Sequence, residues 1–428
     1  MKPELVLKEV LKEIELDKKE LLDIKENVEN FIRQIKLKIA KMNQKPEVFV
    51  GGSYAKKTMI TKNKYDVDIF LRYDKKNSDA ELSEKTRKLL SGFNSSVVHG
   101  SRDYFRIKIN EKLFIEVVPV IKVNSPKNSK NITDLSYSHV KYINKKIKNK
   151  KILDEIKIAK AFCYANKCYG AESYIKGFSG YSLELLIYYY KSFMKMIREL
   201  SKPSGKNDKI IIDIERKYKN KKNILLDMNS SKLESPIILV DPTFEQRNAL
   251  AALSYDTFER FGKICREFIK NPSIKYFEEE KIDLEKLKKK SLKNKYEFLL
   301  IEANTEKPEG DVAGSKLLKF YNYLNKEIER FFYIKDTGFD YNEGRMARYF
   351  FIVSKKKEIV YDGPFANDEK NVTRFKKEHK KIYENKGRLH SKEKLNLSFA
   401  EFLSRWVVKN EKRLDDMSIN KIKITDKV

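Results

Sequence analysis

Phe49 to Phe70 reads FVGGSYAKKTMITKNKYDVDIF, and this stretch decides how the N-terminal part of the chain folds. A short apolar run, Val48 to Val50, enters a Gly51-Gly52-Ser53 turn. A helix-compatible segment follows, and the chain re-emerges as a strand opening on Asp66-Val67-Asp68. Strand alternation sets Asp66 and Asp68 side by side on one face and turns Val67 into the core. Two carboxylates so placed, opposite a glycine turn rich in backbone N–H groups, suit a divalent metal carrying a nucleoside triphosphate. The chemistry this points to is nucleotidyl transfer.

Holding two metals about 3.5–4 Å apart for an in-line phosphoryl displacement calls for a third acid beside the pair. Glu116 is the candidate, a lone acid in the apolar run Leu113 to Pro119, 48 residues beyond Asp68 (116 − 68). A charge there is costly without a partner or a metal, the alternative being a surface glutamate on an edge strand marked by Pro119. Ser53 opens the short helix, where it serves either as a plain N-cap or, with the N–H groups after it, as a contact for triphosphate oxygens. Lys56 and Lys57 either reach a phosphate or solvate that helix.

With 428 residues the chain has room for roughly three domains. A 41% hydrophobic content suffices for sizeable cores, while 36% charged residues leave a heavily charged surface. The 91 basic residues against 62 acidic ones give a formal charge of +29 and a pI near 9.5. Base bias in the genome explains lysine in place of arginine, but not that imbalance, which points to a polyanionic partner, nucleic acid before membrane. No basic amphipathic anchor, secretory segment or apolar run of membrane-spanning length stands out. Cys163, Cys168 and Cys265 follow neither a disulfide nor a metal spacing, so buried free thiols and a reducing, cytoplasmic setting are expected.

Along the chain, Glu4 to Met42 has the apolar period of one or two helices, and the glycine turn and acidic strand run on to about Tyr73. A helix is expected over Ala80 to Leu90, then a hairpin of Tyr104 to Ile109 and Leu113 to Val123 across Asn110-Glu111-Lys112. Ser138 to Phe268 reads as mainly helical, interrupted by Lys202 to Lys209 and around Asn229-Ser230-Ser231. A lysine-rich amphipathic stretch, Glu279 to Tyr296, follows. Phe298 to Ile301, a helix from Gly314 to Phe332, and Arg345 to Ser354 suggest β-α-β packing. Helices are expected again over Asn371 to Glu384 and Phe399 to Lys409.

Gly52-Ser53, the acids Asp66 and Asp68 and a third acid on a later strand resemble the DNA polymerase β-like nucleotidyltransferase superfamily. Tyr169-Gly170-Ala171-Glu172, Gly177 to Tyr181 and Glu184-Leu185-Leu186, with Val240-Asp241-Pro242 and Arg247-Asn248-Ala249, resemble more narrowly the archaeal-type (class I) CCA-adding enzymes. Asp362-Gly363-Pro364 and Gly387-Arg388-Leu389 fit the same family's end. The resemblance covers nearly the whole chain, and the block from Tyr169 to Leu186 is its most specific part.

The resemblance implies a multidomain α+β fold: a polymerase β-like head with a mixed sheet over 1–143, a helical neck over 144–270, and an α/β body and tail over 271–428. It implies template-independent addition of C, C and A to tRNA 3′ ends from CTP and ATP. Asp66, Asp68 and Glu116 would hold two Mg²⁺ ions. Gly52, Ser53 and Lys56 match the family's triphosphate contacts. His139, Lys160 and Tyr169 match positions around the phosphates and sugar, and Arg247 matches the arginine that helps select the base, with a fork suited to base edges. Taken without the resemblance, His139 is also a helix-start residue, Lys160 a solvated face residue and Tyr169 a core aromatic.

The family usually has aspartate where Glu116 stands, and glycine is common where Lys57 stands; the Lys202 to Lys232 stretch is longer than its core needs. In the C-terminal half, aromatics interleave with basic residues at Phe320 to Tyr323, Arg345 to Phe351 and Arg374 to Tyr383, as on surfaces that track an RNA backbone and stack on bases. The remaining readings are a poly(A) polymerase, an oligoadenylate or cyclic-dinucleotide synthase, or a catalytically silent RNA-binding protein. The sequence sets no oligomeric state, a homodimer being compatible with it.

Overall fold

A computed structural model describes residues 2–42, 45–75, 77–100, 102–129, 131–203, 208–279, 282–394 and 396–426. The chain divides into two units, Met1–Glu280 and Lys281–Val428. Residues 204–207 of the Lys202 to Lys232 stretch and 280–281 of the Glu279 to Tyr296 stretch lie outside the described residues.

The first unit opens with two helices, α1 (Pro3–Ile14) and α2 (Lys18–Ala40). Proline at the first helical position starts α1, and the Asp17 side chain caps α2 by accepting the Glu20 N–H at 2.7 Å. Ile24, Val28, Phe31, Ile35 and Ile39 form the buried stripe of α2. Then come β1 (Glu47–Val50), the single turn α3 (Gly52–Ala55), β2 (Tyr65–Tyr73), α4 (Asp79–Leu89), β3 (Ser95–Val98), β4 (Tyr104–Lys108) and β5 (Leu113–Ile121). They build a five-stranded mixed sheet in the order β1-β2-β5-β4-β3. Only β2 and β5 run parallel; the other pairs are antiparallel. Ile69, Leu71, Ile115 and Val117 alternate inward on β2 and β5 and pack beneath α2 and α4, and Val67 packs beneath α2. Each such aliphatic side chain contributes about 1.5–3 kcal/mol. The hairpin across Asn110 forms as expected; β3 has two exposed residues of its four and too little apolar alternation to be read as a strand.

The same unit continues through α5 (Ser136–Lys146), α6 (Lys150–Ala165), α7 (Gly180–Tyr190), α8 (Phe193–Leu200), β6 (Ile210–Asp213), α9 (Lys221–Asp227), β7 (Ile237–Asp241), β8 (Phe244–Asn248) and α10 (Tyr255–Lys270). α5, α6, α7, α8 and α10 share one aromatic-rich core around Phe162, Phe178, Phe193, Phe261 and Phe268, which also buries Cys163, Cys168 and Cys265 as free thiols. The mainly helical reading of 138–268 therefore stands, with one addition: β6, β7 and β8 form a three-stranded sheet. All five residues of β7 are buried, so it shows no alternation, and an apolar run that short reads equally as buried helix.

The second unit comprises α11 (Leu284–Lys293), β9 (Glu297–Asn304), α12 (Asp311–Glu329), β10 (Phe332–Tyr341), β11 (Met346–Lys355), β12 (Ile359–Phe365), α13 (Glu369–Glu378), β13 (Ile382–Asn385), β14 (Arg388–Glu393), α14 (Phe399–Lys409), α15 (Glu411–Asp416) and β15 (Lys421–Thr425). Its main sheet, ordered β10-β11-β9-β15, is antiparallel throughout. The expected β-α-β packing is corrected here: α12 leads into β10, not directly into β11, and β9 and β11 pair antiparallel. The reading of Asn371 to Glu384 as one helix is corrected as well, since α13 ends at Glu378 and β13 follows. Leu317, Phe320, Leu324, Phe399, Leu403 and Trp406 close the core over the sheet. Phe320, Tyr349, Phe350 and Phe351, offered above as stacking aromatics, are buried. Among the described residues no helix is long and apolar enough to cross a membrane.

Candidate active site

Glycine at two successive positions lets the backbone lie directly against β2. A Cβ on Gly51 would stand 2.3 Å from the Phe70 ring, and one on Gly52 would stand 1.7 Å from Asp68 Oδ2. Gly52 also has φ +61°, a left-handed conformation that favours glycine. The Gly51 N–H donates to the Asp68 carbonyl at 2.9 Å, which pins the turn to the acidic strand. Gly51 is the N-cap of α3 and has no side-chain cap, so Ser53, half-buried at the second helical position, is not a capping serine. Lys57 adopts φ +58°, a left-handed backbone that glycine takes without strain.

Asp66 and Asp68 project from the same face of β2, and the parallel register sets Asp68 opposite Glu116 on β5. On the other side β4 places Arg106 opposite Glu116, and the guanidinium grips Glu116 Oε1 through Nε at 3.0 Å and Nη2 at 2.7 Å. Burial, partly offset by Lys56 and reinforced by Asp66, pushes the Asp68 carboxyl up to about 6. Burial followed by Asp68 and Asp66 pushes Glu116 up to about 8 despite Arg106. Buried acids raised in this way form a site that a cation would relieve, and their donors are all oxygens, which fits a hard divalent ion. As the side chains stand, no three Asp, Glu, His or Cys groups among the described residues converge as a metal-holding set. Asp66 and Asp68 share one pocket, while the Glu116 carboxylate rests on Arg106.

Behind the glycine turn lies a buried charge cluster that the sequence did not predict. Lys56 Nζ donates to Glu184 Oε2 at 2.7 Å, and Lys160 Nζ lies 3.3 Å from Glu184 Oε1. Thr58 Oγ1 donates to Glu184 Oε1 at 3.1 Å and accepts from Lys160 at 2.7 Å. Lys160 is buried, so the solvated-face alternative is set aside. Burial lowers its ammonium to about 8, with Glu184 opposing and Lys56 assisting. For Glu184 burial acts upward, but Lys56 and Lys160 outweigh it and hold the carboxyl below the usual range.

A second cluster centres on Asp241 at the end of β7. Its Oδ2 accepts from Arg247 Nη1 at 2.6 Å and pairs with His139 Nε2 at 3.1 Å, while Oδ1 accepts from the Tyr181 hydroxyl at 2.9 Å and from Thr243 N–H and Oγ1, both at 2.8 Å. The His139 ring stacks on Tyr181 at 3.9 Å. Burial pushes His139 below its usual value against the pull of Asp241.

One pocket of about 490 Å³ gathers Gly52, Ser53, Lys56, Asp66, Asp68, Lys160 and Tyr169. Glu116, His139 and Arg247 lie outside its lining; Glu116 reaches it through the register with Asp68, and the other two through Tyr181, which lines the pocket and binds Asp241. Tyr169 stacks on Tyr164 at 4.0 Å, and Lys62 covers the Tyr164 ring at 3.7 Å. Thr58, Lys62, Lys64, Tyr164 and Tyr181 also line the pocket and were not singled out as site residues. Glu184 and Asp241 carried a readable signal, each a lone acid inside an apolar run.

A family model described as "tRNA nucleotidyltransferase, second domain" matches residues 154–278, and one described as "Second Messenger Oligonucleotide or Dinucleotide Synthetase domain" matches residues 1–147. The chain is 34% identical over 356 residues to the CCA-adding enzyme of Nanoarchaeum equitans, covering 81% of this chain and 83% of that one. To the CCA-adding enzyme of Methanocaldococcus jannaschii it is 29% identical over 392 residues, covering 88% and 84%. A solved structure of Cid1, described as having RNA terminal uridylyl transferase activity, is similar in fold with a TM-score of 0.50 at 12% identity, over 65% of this chain and 99% of that one.

Proposed function

The chain belongs to the CCA-adding enzymes, and from that premise we propose that the pocket under the glycine turn is where CTP and ATP are joined to the 3′ end of tRNA. The enzyme is a tRNA nucleotidyltransferase. Nucleotidyltransferases of this superfamily use divalent metal ions, and Mg²⁺ is the ion proposed here, held by Asp66 and Asp68 with Glu116 completing the set. When bound, the metal pair lowers the barrier by neutralising charge on the attacking hydroxyl and on the departing pyrophosphate.

The chain's own residues supply the rest. Ser53 and the N–H groups of the glycine turn meet the triphosphate, and Lys56 and Lys160 balance its charge. The ring of Tyr169 backs the sugar. Asp241, itself paired with His139, holds Arg247, whose fork reads cytosine or adenine together with the primer end, so no nucleic-acid template is needed. The head (1–143) and the neck (144–270) both fall in the first unit, and the body and tail (271–428) give an RNA-binding surface of exposed basic residues with Phe365 and Tyr383.

The observation that carries this reading is the in-register pair Asp68 and Glu116 beside a pocket that also holds Lys56 and Lys160. The test is extension of a tRNA lacking its CCA end, with CTP alone, ATP alone and both, in Mg²⁺. Two additions with CTP, then one A only when ATP is present, support it. Long A-only tails, or no extension, refute it in favour of a poly(A)-type polymerase or a silent binder.

A further inference from the structure

Glu184 sits on α7 between Leu183 and Leu185, and its side chain is fully buried. Stability does not call for a charge there, since a well-packed apolar residue in place of a buried ion pair is often neutral or stabilising. The carboxylate earns its position through what it touches, two lysines and one threonine from two separate segments of the unit: Lys56 and Thr58 just after α3, and Lys160 on α6.

The donors divide unequally. An ammonium has three N–H bonds to give. Those of Lys160 are matched by Thr58 O at 3.2 Å, Thr58 Oγ1 at 2.7 Å and Glu184 Oε1 at 3.3 Å. Lys56 gives one, to Glu184 Oε2 at 2.7 Å, and so has two for a ligand in the pocket it lines. Two cations against one carboxylate leave the cluster one positive charge (2 − 1), facing the pocket that also contains Asp66 and Asp68.

We propose that Glu184 is the positioning residue of the nucleotide site: it fixes Lys56 with two N–H donors presented to the incoming triphosphate, and Thr58 and Glu184 together hold Lys160 behind it as a saturated counter-charge. The inference rests on the reading of this pocket as the triphosphate site. Glu184 touches no reacting atom; it acts through the two lysines.

The test compares KM and kcat for CTP and ATP in the full-length enzyme for E184Q, E184D, K56M, K160M and the double variant K56M/E184Q. Loss of a charge-assisted bond predicts that E184Q raises KM for both nucleotides about tenfold, with kcat falling less. E184D, which keeps the charge, recovers part of that loss. In the double variant E184Q adds nothing beyond K56M, because the lysine through which it acts is gone. Should E184Q not fold, T58V removes the hydroxyl that bridges Lys160 and Glu184, and KM rises in the same way. KM within twofold of the parent for whichever of the two variants folds, or multiplicative losses in the double variant, overturns the proposal while K56M still raises KM. If K56M and K160M both leave nucleotide KM unchanged, the pocket reading fails and the proposal falls with it.

Discussion

Gly52→Ala is the most exacting perturbation of the site, because it adds a single methyl group. The added carbon would stand 1.7 Å from Asp68 Oδ2 and 2.6 Å from its Cγ. Non-bonded heavy atoms settle at about 3.5 Å, so the carboxylate or the turn must give way by roughly 1.5–2 Å. The left-handed φ of +61° adds its own penalty, about 1–2 kcal/mol for an L-residue. That penalty lowers the melting temperature of the first unit by about 2–3 °C. The displacement acts on catalysis more strongly, since about 1 Å of misplacement at reacting groups costs on the order of a hundredfold. Single-turnover incorporation of labelled CMP into tRNA lacking its CCA end, beside a thermal melt, reads both effects. The expected result is incorporation slowed about a hundredfold or more with tRNA affinity intact. A variant that keeps a tenth of the parental rate at an unshifted melting temperature refutes the claim that the glycine exists to seat Asp68.

Three further outcomes follow from the same geometry. Asp68→Ala removes incorporation while the tRNA Kd stays within about twofold, because the side chain belongs to the acid cluster and not to the RNA surface; residual incorporation in Mg²⁺ contradicts the metal assignment. Lys160 is protonated below about 8 and loses its charge above it, so nucleotide KM rises with pH through that value, whereas Lys160→Arg flattens the profile; a parental KM constant from pH 7 to 9 contradicts the assignment. Phe365 is 58% exposed beneath the Arg388 guanidinium, 5.1 Å from the ring centre, and Phe365→Ala weakens tRNA binding by about 1–3 kcal/mol if a base stacks there. Filter binding that shows no change removes that surface from the RNA interface.

Much of the head was legible because its signals are local. The glycine turn, the two acids with period-two spacing and the hairpin turn at Asn110 each announce themselves within a few residues. The Asp241 and Glu184 clusters were not legible in that way, because their partners come from far along the chain: Lys56 is 128 residues from Glu184, and His139 is 102 from Asp241. Lys160 shows the difficulty most clearly, since a lysine on an apolar-periodic helix reads as solvated until its buried acceptors are known. In the second unit the interleaved aromatics misled, because Ala347, Tyr349 and Phe351 alternate inward on a strand and face the core while Arg348, next to them in sequence, faces out. The exposed ring at Phe365 escaped notice, having no aromatic neighbours in sequence.

The sequence has three cysteines and a single tryptophan, and the fold sorts them cleanly. Cys163, Cys168 and Cys265 are sealed in the core of the first unit, and Trp406 packs in the core of the second. Thiol-reactive dyes therefore record openings of the first unit alone, and indole fluorescence reports on the second alone. Followed together through a denaturant titration of the unmodified protein, the two probes separate the unfolding of the catalytic unit from that of the other, with no label introduced. Coincident curves would mean that the two units unfold as one cooperative block, and separated curves that each has its own stability.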